Sequence, residues 1–142
     1  MDILSSPAFG YDNHVKKAGK KFGPFDIAIL ECGQYDPNWK YIHLMPNEML
    51  QAAEDLKATK IIPVHWGKFK LANHDWDAPI TDLLICNAEK NIPILTPMIG
   101  ETLWLLKEQV FIKWWKPLEY FQIQDLNYLL RLVLLLFNFR NL

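Results

Sequence analysis

An α/β fold built on a layered sheet is what this sequence predicts, and three observations predict it. Short apolar runs with β-branched residues recur at Asp26 to Glu31 (DIAILE), Lys60 to Val64 (KIIPV) and Ile92 to Leu95, each the length of a buried strand. Stretches with apolar residues at helical spacing lie between them, and strands that alternate with helices are the signature of βαβ crossovers. Proline and glycine mark the joints.

Taken in order, Tyr11 to Lys21 carries Val15, Ala18 and Phe22 at helical spacing, and Gly23-Pro24 stops it. The strand DIAILE follows, and Cys32 to Pro37 leaves it as a loop. Pro46 suits a first helical turn, after which Asn47 to Lys57 places Met49, Ala52, Ala53 and Leu56 on one face. KIIPV is the second strand, with Pro63 marking an edge position or the strand's end. A third helix, Ile80 to Lys90, is expected to bury Leu83, Leu84 and Ala88, ahead of a third strand at Ile92 to Leu95. Gly100 then turns the chain toward a last strand, Thr102 to Leu106, and Lys107 to Trp115 reads as a short helix whose Phe111, Trp114 and Trp115 pack inward.

The 142 residues are 51% hydrophobic and 22% charged, a globular balance that excludes disordered and collagen-like classes. Fifteen Lys plus Arg stand against 16 Asp plus Glu. No nucleic-acid partner is expected, because binding phosphates needs a basic footprint; the run Lys16, Lys17, Lys20, Lys21 reads as a solvated helix face. Cys32 and Cys86 are too far apart for a CxxC motif and read as reduced thiols of a cytoplasmic protein. The N-terminus lacks the pattern of a secretory signal. From Tyr128 to Phe139 the sequence YLLRLVLLLFNF is nearly all apolar, yet Arg131 and Asn138 interrupt it, and a spanning helix needs about 20 apolar residues. No membrane span is expected. An interfacial lipid anchor would need a basic polar face, and only Arg131 and Arg140 are on offer.

Among His14, His43, His65 and His74, no pair has HxH or HExxH spacing. His65 stands apart because it directly follows a strand, and layered α/β sheets hold ligands at the carboxyl ends of their strands. Trp66-Gly67 beside it offers a bulky wall and a backbone open to close approach. His43, in YIHLMP, reads either as a pocket contact or as a residue bonded to backbone ahead of its helix. Asp75 and Asp77 read as an ordinary polar loop. No GxSxG, P-loop or dinucleotide glycine pattern is present, which leaves serine nucleophiles, nucleotide hydrolysis and hydride transfer without support.

Several stretches together, GYDNH, KFGPFDIAILECGQYDPNW, YIHLMPNEMLQAAEDL, KIIPVHWGKF, WDAPI and PILTPMIGE, resemble in order and spacing the second half of metallo-β-lactamase-fold hydrolases. The branch they resemble contains N-acylphosphatidylethanolamine-hydrolysing phospholipase D, with ascorbate phosphate lactonases as more distant relatives. The resemblance covers about Phe9 to Trp115 and implies an α/β architecture that is the C-terminal half of a four-layer αββα fold. In such folds two metal ions, usually zinc, activate water against a phosphodiester or lactone bond. By this comparison His65 matches a metal-ligand histidine. His43 matches a catalytic histidine that polarises a substrate oxygen or orients a leaving group, and Tyr35 and Trp66 line the substrate pocket.

The same comparison puts Ala8 where the family carries a metal-bridging aspartate, and the family's HxHxDH segment is not in this sequence. The expectation is therefore a partial hydrolase domain over residues 1–118, inactive alone, followed by an apolar helical tail over residues 119–142 with no counterpart in the family. Its partner in complete form would be a small-molecule or lipid-like phosphodiester. A competing reading is a noncatalytic interaction module that self-associates through the exposed sheet or the tail, since bare strand edges and large apolar patches seldom stay uncovered.

Overall fold

Strand β2 (Ile27–Glu31) organises the molecule, and its sequence explains why. Ile27, Ala28, Leu30 and Glu31 are all buried, the near-continuous burial of a parallel strand covered on both faces. The computed structural model, which describes residues 1–6 and 9–116, places β2 at the centre of a three-stranded sheet of order β1-β2-β3. Both neighbours, β1 (Ile3–Ser6) and β3 (Lys60–Val64), run parallel to it. Helix α1 (Asn13–Phe22) connects β1 to β2, and α2 (Pro46–Asp55) connects β2 to β3. These are βαβ units, so all three strands end at the same edge of the sheet.

The three main helices and the two main strands fall where the sequence pattern puts them. Met49, Ala52, Ala53 and Leu56 of the α2 region are buried as their spacing predicts, joined by Leu50. Pro46 opens α2, and the Glu48 carboxylate reaches back to accept from the Met45 amide at 3.0 Å, which satisfies a donor the helix leaves unpaired. α1 departs from its expected face. Val15 and Gly19 are buried while Phe22 is exposed under the Lys21 ammonium, because Gly19 lets the α2 backbone come against the helix where a side chain would have stood.

Helix α3 (Ala78–Cys86) is shorter than its pattern suggested, and Ala88 is exposed rather than buried. The Asn87 side chain accounts for the stop: it accepts from the Ile92 amide at 3.0 Å and donates to the Ile92 carbonyl at 2.8 Å, closing a loop. The expected strand at Ile92 to Leu95 reduces to one bridge between Ile61 and Ile94. Ile61 exchanges hydrogen bonds with Pro93 and Leu95 on the side away from β2. Two residues on, Pro63 faces the same way without an N–H, so the ladder cannot continue. Its carbonyl is taken instead by the Trp66 indole at 2.9 Å. Strand β1 carries no pattern that announced it; its alternate half-buried positions suit a short edge strand.

The chain divides into two compact units, Met1–Thr96 and Pro97–Leu142. In the second, the expected strand Thr102 to Leu106 and helix Lys107 to Trp115 are both absent. The Gln109 side chain accepts from the Trp104 amide at 3.1 Å and donates to the Thr102 carbonyl at 3.0 Å and to Glu101 at 3.1 Å. A side-chain clasp has replaced the backbone pairing that a strand would need. Trp115 is buried and meets the Trp114 ring edge-on at 5.8 Å. The expected domain boundary at residue 118, the apolar tail and Ala8 lie outside the described residues. Among the described residues no helix is long and apolar enough to cross a membrane.

Two contacts that join α1 to α2 are open to test. A methyl at Gly19 would overlap the Asp55 carbonyl, so Gly19→Ala lowers stability by about 1–3 kcal/mol, against the gain of about 1 kcal/mol that helix propensity alone predicts. Urea unfolding midpoints check the sign. Tyr11 donates its hydroxyl to Asp55, and chiefly through that bond its phenol is pushed up to about 12. Asp55→Asn removes the charge that opposes tyrosinate, and Tyr11 titration then falls back toward its ordinary value; tyrosinate absorbance, differenced against Tyr11→Phe, reads it.

Candidate metal centre at the carboxyl edge of the sheet

Every residue of the candidate site sits at the edge where the parallel strands end, the position at which open α/β sheets hold ligands. Glu31 is the last residue of β2 and His65 directly follows β3. His43 arrives from the segment ahead of α2, after a short 3-10 turn at Pro37–Trp39 whose carbonyl at Trp39 accepts from the His43 amide at 2.9 Å. Ligand atoms of Glu31, His43 and His65 all lie within 4.8 Å of one another. The two imidazoles stack with centroids 5.4 Å apart and planes 26° from parallel.

Glu31 is fully buried, and a carboxylate at such a position is tolerated only when donors surround it. Its Oε1 accepts from the Leu44 amide at 2.8 Å and the Phe9 amide at 3.3 Å. Its Oε2 pairs with His43 Nδ1 at 2.8 Å. Three segments, the β1 exit, the end of β2 and the approach to α2, thus converge on one side chain. The His43 side chain is only 14% exposed.

His65 is held differently. Its backbone is left-handed, with φ of 69°, a conformation that costs a residue with a side chain about 1–2 kcal/mol and that tends to collect at functional sites. The close approach that supports it comes from Gly33: a Cβ there would overlap the His65 carbonyl and crowd the Trp66 side chain. The imidazole itself is exposed.

Beside the histidines, the loop after β2 is clamped by Gln34, which is buried and also left-handed at φ 64°. Its side chain accepts from the Leu71 and Ala72 amides at 3.0 and 2.9 Å and donates to the Phe69 carbonyl at 2.8 Å. Its own amide donates to His74 Nε2 at 2.9 Å. His74 is therefore a loop-holding residue. Tyr35 lies with its ring 4.6 Å from His74 and donates its hydroxyl to Asp82 of α3; burial, followed by that bond, pushes its phenol well above the ordinary range. Burial likewise pushes the Cys32 thiol up, leaving it protonated and inert.

The structure thus brings His43 and His65 together, ties Tyr35 to α3 and His74, and folds the Trp66 indole back on Pro63. Sequence reasoning missed Glu31 and Gly33. Glu31 ends an otherwise apolar strand, and a carboxylate closing a buried run was the available signal.

Chemically, imidazole nitrogens suit zinc. As a complete set the group falls short, because the Glu31 carboxylate is already engaged by two backbone amides and by His43 Nδ1, and a catalytic zinc takes three protein ligands beside an open position. The described residues fit part of a zinc site, with His65 free to offer a ring nitrogen and His43 held beside it by the Glu31 carboxylate.

Comparison with known proteins gives several likenesses. Residues 5–66 match the family described as Beta-lactamase superfamily domain. The chain is 56% identical over 66 residues to Outer membrane protein RomA of Klebsiella pneumoniae, covering 46% of this chain and 50% of that protein. It is 31% identical over 110 residues to an uncharacterized protein of Mycobacterium tuberculosis, covering 75% of this chain and 30% of that one. It is 34% identical over 67 residues to N-acyl-phosphatidylethanolamine-hydrolyzing phospholipase D 1 of Caenorhabditis elegans, covering 46% of this chain and 19% of that one. Residues 5–66 are thus similar to metallo-β-lactamase-fold hydrolases. The relatives include N-acylphosphatidylethanolamine-hydrolysing phospholipases D, the branch that the motifs implied. The chain spans half the length of RomA and less of the other two.

The strained backbone at His65 yields a prediction. His65→Gly and His65→Ala both remove the imidazole, but only glycine relieves the left-handed φ, so His65→Gly is the more stable by about 1–2 kcal/mol. Equal denaturation midpoints would show that the turn does not need this conformation.

Proposed function

We propose that this chain is part of a metal-dependent hydrolase whose complete protein cleaves a phosphodiester, or a lactone, in a small-molecule or lipid-like substrate. The observation that carries the reading is the convergence of Glu31, His43 and His65 at the carboxyl edge of the sheet. In this reading His65 holds zinc, and His43 polarises a substrate oxygen or orients the leaving group. Tyr35 and Trp66, each leaving a strand end beside the histidines, form the pocket wall. The exposed Trp39, Tyr41 and Ile42 flanking His43 suit the apolar part of such a substrate. Zinc, when bound, lowers the pKa of its water and neutralises charge developing on substrate oxygens.

The remaining ligands of the two-zinc set belong, on this proposal, to parts of the complete protein outside this chain, which corresponds to the C-terminal half of the four-layer fold. The chain alone then has little or no activity. A cytoplasmic setting belongs to the same reading, since Cys32 and Cys86 are free thiols, the state a reducing compartment maintains. The likeness to a phospholipase D favours hydrolysis over the interaction-module reading.

The test mixes this chain with the separately produced part of RomA that it does not match, adds zinc, and follows phosphodiester hydrolysis. Turnover is expected only in the mixture, with His43→Ala lowering it about 100-fold or more and His65→Ala weakening zinc retention. Strong zinc-dependent turnover by the chain alone overturns the ligand assignment. A mixture that retains zinc yet hydrolyses neither phosphodiesters nor lactones overturns the hydrolase reading.

A further inference from the structure

We propose that Glu31 is a positioning residue: its buried carboxylate locks His43 in the Nδ1–H tautomer and leaves Nε2 as the one bare ring nitrogen that faces the chemistry. Its use in catalysis rests on the hydrolase reading, whereas the tautomer itself does not.

Two of the donors around Glu31 are fixed. Leu44 and Phe9 give backbone N–H groups to Oε1, and a backbone amide cannot exchange its role for that of an acceptor. Glu31 has no exposed surface, so its oxygens rely on these protein partners. Oε2 then presents only lone pairs to His43 Nδ1 at 2.8 Å. A neutral imidazole has one N–H and one lone pair. With the proton drawn to Nδ1, the lone pair falls to Nε2.

A carboxylate bonded in this way fixes the ring orientation and tautomer of a histidine. The same geometry argues against Glu31 as a ligand in its own right, since a cation taken up by Oε2 displaces the proton that His43 donates there. The adjacency of His43 and Leu44 matters: one residue supplies the ring, the next the amide that pins the other oxygen. Rotation of the carboxylate about its last bond therefore breaks all three bonds together.

The experiment is a long-range proton–nitrogen correlation spectrum of the full chain with nitrogen-labelled histidine, recorded above the ordinary imidazole titration range and without substrate. Wild type is expected to show a protonated Nδ1 and a bare Nε2 at His43. In Glu31→Gln the amide oxygen stays with Leu44 and Phe9, its NH2 faces Nδ1, and the two nitrogen shifts exchange places. Added zinc is expected to leave the Nδ1 proton in place. A bare Nδ1 or a doubly protonated ring in wild type overturns the proposal, as does an unchanged tautomer in Glu31→Gln or loss of the Nδ1 proton to zinc. If Glu31→Gln does not fold, the wild-type spectrum decides by itself. Failure to detect hydrolysis leaves this result standing, so the two proposals fall separately.

Discussion

One buried carboxylate organises the functional edge of this protein. Burying a carboxyl group away from water is costly unless it is hydrogen-bonded, and Glu31 offsets that cost only because two backbone amides and one imidazole surround it. Those partners come from segments far apart in sequence, at Phe9, His43 and Leu44. Holding the charge therefore means holding the segments. The site's geometry and the closure of the sheet's carboxyl edge are consequences of one local electrostatic requirement.

Around that anchor the backbone is bent more sharply than side chains prefer. Gln34 and His65 adopt left-handed φ values, and Gly67 does so at 81°. Gly33 meanwhile allows the loop after β2 to touch the carbonyl of His65. The strain sits at the ends of two adjacent strands, where packing on both sides over-determines the conformation. Gln34 contributes through three side-chain hydrogen bonds to the 69–72 segment. The imidazole of His65 is thus presented from a braced turn although it lies exposed.

The chemistry within reach is that of a histidine pair with one carboxylate behind it. A relative named as a phospholipase D is similar to this chain over 19% of its own length. His43 is sheltered and bonded to a charge, and His65 is solvent-facing and strained. The two rings therefore sit in different environments although they stack on one another.

Much of the architecture was legible in the residues, since periodicity reports burial: the short, β-branched apolar run DIAILE reads as a covered strand, and the Met49, Ala52, Ala53, Leu56 spacing reads as one face of a helix. The motif around KIIPVHWGKF likewise carried the family. Where side chains rather than backbone pairs satisfy the chain, the pattern misled. Gln109 replaced a strand with a clasp, Asn87 stopped a helix early, and Gly19 turned α1 so that Phe22 faces water. Sequence alone therefore determined strands β2 and β3, the helices of the α/β unit and the histidines worth watching, while β1 went unannounced. Only the tertiary structure decided that Glu31 would stand behind His43 and Gly33 beneath His65. Those pairings join residues with no periodic relation, through hydrogen bonds and close approach that exist only once the strands share an edge.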